Sequence, residues 1–440
     1  MFKNTCLFKI FVIYCLNIAY SFSVYSNNLF KNDFILSFDD AVQYTVLNNS
    51  NIASYTSLSK AAEYKTRTSF ATLFPQVSIG AAFKRGDDSK TSMFNNIFPN
   101  TIQNKIQNMY SAELEITQNI FSGGSIIQKI RSSMFEEDAV NYDLKIQKSN
   151  VSFKLKSAFS NLRYANDYLN LSNEILKRRE ENLSLITLRY KNGLENLGSV
   201  MLAQAYLNEA KFDVLKAINV ISVSKKKFAE VIGFDGDENF LDIAGEVPLS
   251  IPEIIDIKDI AKKTPVYLKA LANEGAAKSD KYRMIGVFLP SVNFFVTAGK
   301  NDTNLHMRNS NWSIGINAKM AIFTGGNNYY SYKTAAENYK SAMNNRISIL
   351  RTIIADIEEK YSSYAESIER LKVDKNYVEA EKIRAKISRQ KYNNGLTTFD
   401  DWDRIENSLI TQQKRYIESK RNRVIAEAEF EQILGIGVIE

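Results

Sequence analysis

Residues Trp312–Gly326 read WSIGINAKMAIFTGG, and this stretch decides the fold. Trp312, Ile314, Ile316, Ala318, Met320 and Ile322 alternate with Ser313, Gly315, Asn317, Lys319, Ala321 and Phe323. A period of two is the mark of a strand with one apolar and one polar face. The run ends in Gly325-Gly326, and from Asn327 to Asn394 there follow 68 residues without Gly or Pro. In that segment Ile347, Leu350, Ile354, Ile357, Tyr361, Tyr364, Ile368 and Leu371 step by three and four, the seam of a coiled coil. At 1.5 Å per residue such a helix runs about 100 Å. A single helix of that length is stable only packed beside others.

The same order occurs earlier in the chain. Phe121-Ser-Gly-Gly124 recurs as Phe323-Thr-Gly-Gly326, Tyr190-Lys-Asn-Gly193-Leu194 as Tyr392-Asn-Asn-Gly395-Leu396, and Val231-Ile-Gly233 as Ile433-Leu-Gly435, each displaced by 202 positions. Leu73-Phe-Pro75 recurs as Phe288-Leu-Pro290, displaced by 215. One unit of about 200 residues is therefore used twice. The spacing predicts a first repeat over residues 27–233 and a second over 257–440, joined by a Gly/Pro-containing linker at 234–256. Each repeat reads as a helical stretch (Phe38–Phe74; Ile257–Leu289), a strand pair (76–121; 291–323), a long helix (125–192; 327–394) and a return helix (196–232; 398–434). In the first long helix Leu155, Leu162, Leu169, Leu176, Leu183 and Tyr190 fall every seventh position. Polar loops are expected at Gly86–Tyr110 and Lys300–Asn311, the first holding the 13-residue excess.

Composition sets the function classes. The chain has 440 residues, 45% hydrophobic and 24% charged, which is a folded composition. Lys3 and Lys9, the apolar run Ile10–Tyr20 and then Ser21, Ser23 and Ser26 read as a signal peptide over residues 1–26. Cleavage there removes Cys6 and Cys15, the only cysteines, and leaves a net charge of about +5, no footprint for nucleic acid. A single histidine, His306, and no remaining cysteine exclude a Cys/His zinc site and a Cys–His catalytic pair. No catalytic, metal or cofactor site is expected. Runs of roughly 9–12 alternating residues fit tilted strands crossing an outer membrane. Four strands cannot close a barrel, and a sheet edge facing lipid is forbidden, so several chains must share one barrel.

With these landmarks the sequence resembles the TolC-type outer-membrane efflux channels of bacteria. The resemblance implies a mainly α protein with β: long coiled-coil helices plus two transmembrane strands per repeat. It implies a homotrimer in which a 12-stranded barrel, set in outer-membrane lipid, continues as an α-helical barrel in the periplasm. It also implies docking to a periplasmic adaptor and an inner-membrane pump, for efflux or type I secretion. By the resemblance, Gly193, Leu194, Gly395 and Leu396 form the adaptor-docking tip. Tyr392 and Asp401 stand at the pore constriction, with Asp400 and Asp403 close by. The family's second gate aspartate falls on Arg404 here, and an arginine expected two positions after the glycine is Thr397. The acids have two readings: a ring around the pore axis, or a capped helix start with Thr398 as N-cap. A pore-less secreted coiled coil of adhesin type is the alternative function. It has no need of membrane-length strands.

Overall fold

The computed structural model describes residues 34–87, 106–248 and 256–439. The signal peptide expected at 1–26 lies outside the described residues, as does most of the first loop. Two compact units are present. One comprises Tyr55–Leu144 and Lys262–Thr352; the other comprises Met1–Ser54, Lys145–Ala261 and Ile353–Glu440. Each draws on both repeats.

The first of these units is built on a four-stranded antiparallel sheet. Strands β2 (Gln76–Asp87), β3 (Ile106–Ser122), β5 (Ser291–Asp302) and β6 (Asn309–Lys319) lie in the order β2-β3-β5-β6. Register aligns the alternation of all four strands. Ile79 faces Leu114, Leu114 faces Ala298, and Ala298 faces Trp312; Val77, Ile116, Val296 and Ile314 form the next row. One face is thus apolar from edge to edge, and its residues stand in the open: Ile79 is 84% exposed and Trp312 77%. The other face carries Ser78, Glu113, Glu115, Thr297 and Ser313 in the intervening rows. A bulge between Asn119 and Phe121 shifts the parity of β3, so that Phe121 pairs with Val292 and rejoins the apolar face.

The strands differ from expectation at their ends. β6 stops at Lys319, not at Phe323, because β5 begins at Ser291. The residue before it is Pro290, which has no N–H to extend the ladder. Ile322 and Phe323 are left 94% and 87% exposed. The loops are also shorter than expected, since β2 and β5 run on to Asp87 and Asp302 and β6 starts at Asn309. Helices α2 (Ser50–Ala71) and α6 (Pro265–Gly286) precede the two strand pairs and stop before Pro75 and Pro290. At the exit from β3, Gly123 adopts φ +61°, and a Cβ there would lie 2.3 Å from the Gly286 carbonyl. The strand-to-helix corner therefore needs glycine for space as well as for torsion.

The second unit holds the far parts of the long helices α3 (Ser125–Lys191) and α7 (Asn327–Asn393), and the return helices α4 (Leu197–Ile232) and α8 (Phe399–Leu434). The expected continuous stretch from Phe38 is interrupted: α1 (Phe38–Asn48) ends at Asn49, whose side chain caps α2. Asn49 accepts from the N–H groups of Asn51 and Ile52 and donates to the Val231 carbonyl at 2.7 Å. The second stretch breaks likewise at Thr264, between α5 (Ile257–Lys263) and α6.

The segment read as linker contains regular structure. β4 (Leu241–Ile243) pairs in parallel with β1 (Phe34–Leu36), and Leu241 is fully buried against Phe159, Leu162 and Phe228. Its Gly and Pro neighbours hid a three-residue apolar alternation. A buried ion cluster ties α3 to α8: Lys156 Nζ lies 2.7 Å from Glu431 and 3.6 Å from Glu427. Among the described residues no helix is long and apolar enough to cross a membrane.

Candidate functional site

Two tight turns at the ends of α3 and α7 carry the expected site residues. Gly193 (φ +73°) and Gly395 (φ +75°) are left-handed, and each lets the following leucine reach back. Leu194 N–H donates to the Arg189 carbonyl at 2.9 Å, and Leu396 N–H to that of Lys391 at 2.8 Å. Asn196 then caps α4 by accepting from Ser199 N–H at 3.0 Å, and Thr398 caps α8 by accepting from Asp401 N–H at 3.2 Å. Leu194 and Leu396 finish on the outside, 65% and 74% exposed.

Behind the turns lies an aromatic cluster. Tyr392 is 1% exposed. Its ring stacks on Trp402 with centroids 4.5 Å apart and meets Phe399 edge-on. The guanidinium of Arg189 covers the ring at 4.7 Å, and Arg189 Nη1 donates to the Tyr392 carbonyl at 3.1 Å. Tyr392 Oη donates to Glu195 Oε2 at 2.8 Å, while Glu195 Oε1 accepts from Ser199 Oγ at 3.0 Å. Burial first, and then the hydrogen bond and charge of Glu195, hold the phenol well above its ordinary value. The tyrosine expected at the constriction thus lies buried at a contact between the two repeats of one protomer. It is not a surface group.

The three aspartates separate. Asp403 is buried and paired with Arg179 Nη1 at 3.3 Å, and it accepts from Asn407 at 2.9 Å. Arg179 also lies over the Tyr206 ring at 4.5 Å, and burial together with Asp403 raises the Tyr206 phenol. Asp401 is exposed, but its carboxylate accepts from Thr398 Oγ1 at 2.9 Å and pairs with Arg404 at 2.6 Å. Asp400 is exposed, and no ion pair to it is seen among the described residues. Of the expected acid cluster, one member is internal, one is neutralised by its own helix, and one is open. Glu195, Arg189 and Arg179 belong to this site and carry no signal in the sequence; Arg404, read from sequence only as a departure from the family pattern, belongs to it as well. Arg179 and Asp403 are 224 positions apart, a pairing that no local pattern reveals.

Comparison with known proteins adds to this geometry. The model of the outer membrane efflux protein family matches residues 42–224 and 285–436. Among curated proteins, none matches the sequence. Among solved structures the fold is similar to that of a membrane protein from Pseudomonas aeruginosa, with TM-score 0.82 and 16% identity over 92% of each chain. It is also similar to the outer membrane protein VceC from Vibrio cholerae, with TM-score 0.79 and 18% identity over 91% of this chain and 96% of that one. The CmeC outer membrane channel of Campylobacter jejuni gives TM-score 0.79 and 16% identity, over 90% of this chain and 85% of that one.

Proposed function

This chain belongs to the outer membrane efflux protein family, and on that premise we propose that it is the exit duct of a tripartite efflux or type I secretion system. Three copies close one 12-stranded barrel in the outer membrane, and their long helices continue it as a tube through the periplasm. The observation that carries the reading is the sheet: among the described residues it has four strands, two free edges (β2 and β6) and one face whose central rows, Val77-Ile116-Val296-Ile314 and Ile79-Leu114-Ala298-Trp312, are apolar from edge to edge. An apolar face of membrane length supports a duct over a pore-less coiled coil. Open edges support closure by copies.

The tip is the regulated end. Exposed Leu194 and Leu396 offer two apolar knobs per copy to the helical hairpin of a periplasmic adaptor, which links the duct to an inner-membrane pump. Tyr392 and Glu195 hold the two repeats of a copy together at that end. Asp400, and Asp401 with its Arg404 partner, face the entrance and set its preference for cations. The test is fractionation of the mature protein, its native mass, and conductance in planar bilayers. An outer-membrane trimer with a small, cation-preferring conductance is expected. A soluble, non-conducting monomer would overturn the reading.

A further inference from the structure

A cavity of about 160 Å³ lies between α3 and α8 in the tip-bearing unit. It borders the core that Phe159 and Val247 share with Leu241. Its apolar walls are Phe159 of α3, Val247 after β4, Leu371 of α7, and Ile417 and Val424 of α8. Its polar lining is basic in excess: Arg163, Lys420, Arg421 and Arg423 stand against Asp167 and Glu246. Behind Arg421, Glu418 answers it at 3.2 Å, so four cations meet three anions. Further along α8, Glu427 and Glu431 are turned to Lys156, at 3.6 and 2.7 Å. The pairing inside the cavity is loose, since Arg163 Nε lies 3.7 Å from Asp167, beyond hydrogen-bond reach. Arg163 Nε and Arg423 Nε are both buried and, among the described residues, neither has an acceptor. A buried donor without an acceptor is costly, and native structures keep few of them. Two beside one void mark the place of an acceptor that the chain itself does not supply.

We propose that this cavity binds a small aromatic carboxylate, with its ring among Phe159, Leu371 and Ile417 and its carboxylate on the guanidinium groups of Arg163 and Arg423. Size decides the body of the ligand. An apolar cavity of about 150 Å³ takes up benzene, so one ring fits here and two do not. Geometry decides the head group, because a guanidinium presents parallel N–H donors that match the two oxygens of a carboxylate. A bare inorganic anion satisfies the donors and leaves the apolar walls wet; a neutral ring does the reverse. The bound ligand touches α3 of the first repeat and α7 and α8 of the second, so it ties the repeats together. Occupancy therefore stabilises the folded chain. The site belongs to one protomer and stands or falls apart from the duct.

The test uses the full-length protein purified in detergent, with benzoate as the probe. Equilibrium dialysis of labelled benzoate should saturate at one per chain, and the thermal midpoint should climb with its concentration. Benzamide keeps the ring and loses the charge; inorganic phosphate keeps the charge and loses the ring. Each should bind at least about tenfold more weakly than benzoate. Two substitutions then separate the parts of the site. Arg163→Gln removes a half-exposed guanidinium and should weaken benzoate about tenfold or more, through loss of a charge-assisted bond. Leu371→Phe keeps every charge and fills the void at a half-buried position, and it should abolish binding with the circular dichroism unchanged. Uptake that does not saturate, uptake of benzamide or of phosphate equal to that of benzoate, or binding that survives both substitutions would overturn the site. None of these results bears on whether three copies close a barrel.

Discussion

The two hairpin turns share a backbone and differ in everything attached to it. Their glycines have φ of +73° and +75°, their leucines make the same back-bond, and their return helices are capped at the same place. Yet Tyr190 is 41% exposed and Tyr392 is 1% exposed. The cause lies up the helices. In α7 the sevenfold stripe Ile357, Tyr364, Leu371, Val378, Ala385 and Tyr392 stays inside to the tip, with Leu371 half-buried and the rest buried. In α3 the sevenfold stripe is fully buried at Leu155 and Leu162 and then rotates outward. Its inner positions become Ile175, Arg179, Asn182 and Ile186. A helix that keeps about 3.6 residues per turn drifts off a seven-residue repeat, by about 20° each heptad. Duplication preserved the turn, which glycine torsion fixes, and left the packing behind it free to diverge.

That contrast can be broken most directly at Trp402. Trp402→Ala removes the buried plate under Tyr392 and should cost about 3–5 kcal/mol in denaturant unfolding. Val200→Ala, the equivalent change in the first repeat, should cost about 1 kcal/mol; equal losses would mean the two tips are packed alike. Next comes Tyr392→Phe, which strips Glu195 of a donor. About 1.5–3 kcal/mol is at stake for a bond to a charged group. If that contact closes the duct, single-channel records should show the open-to-closed ratio rise about tenfold or more. Tyr190→Phe should change nothing beyond about 0.5 kcal/mol.

The same phenol predicts a pH response by its sign. Its folded value is raised, so the stability it contributes is complete below the ordinary tyrosine value of about 10 and is lost only as pH rises above that, through the raised value. Opening should therefore be flat between about pH 6 and 9 as far as Tyr392 is concerned. A steep step there that vanishes in Tyr392→Phe would contradict the assignment. Smaller still, Gly193→Ala and Gly395→Ala should each cost about 1–2 kcal/mol, and equally, because only torsion is at issue. Smallest is Arg404→Ala. It breaks an exposed pair worth below about 1 kcal/mol, but it should sharpen cation preference in bilayer reversal potentials by freeing Asp401.

What could be read in advance follows the range of the interaction. Helix ends at Lys191, Asn393, Ile232 and Leu434 are set by the Gly that follows within two residues, and strand faces by alternation; both are local. The stop of β6 at Lys319 depends on Pro290 in a neighbouring strand, and the β1–β4 pair joins segments about two hundred residues apart. The site was the least legible part for the same reason. Tyr392 was visible as a repeated landmark, but its burial comes from Trp402, Arg189 and Glu195 acting together. Asp403 looks like one of three equivalent acids until Arg179 is placed beside it.

The sheet also has a cost before assembly. On the proposed assembly, a newly exported copy carries two raw strand edges and a greasy flank, and it must travel through water before it reaches lipid or its siblings. Ile79, Trp312 and Ile322 in that state are adhesive to any passing chain. On that assembly the unassembled subunit is expected to aggregate when the cell is starved of periplasmic holdases, while helix-only fragments stay untouched.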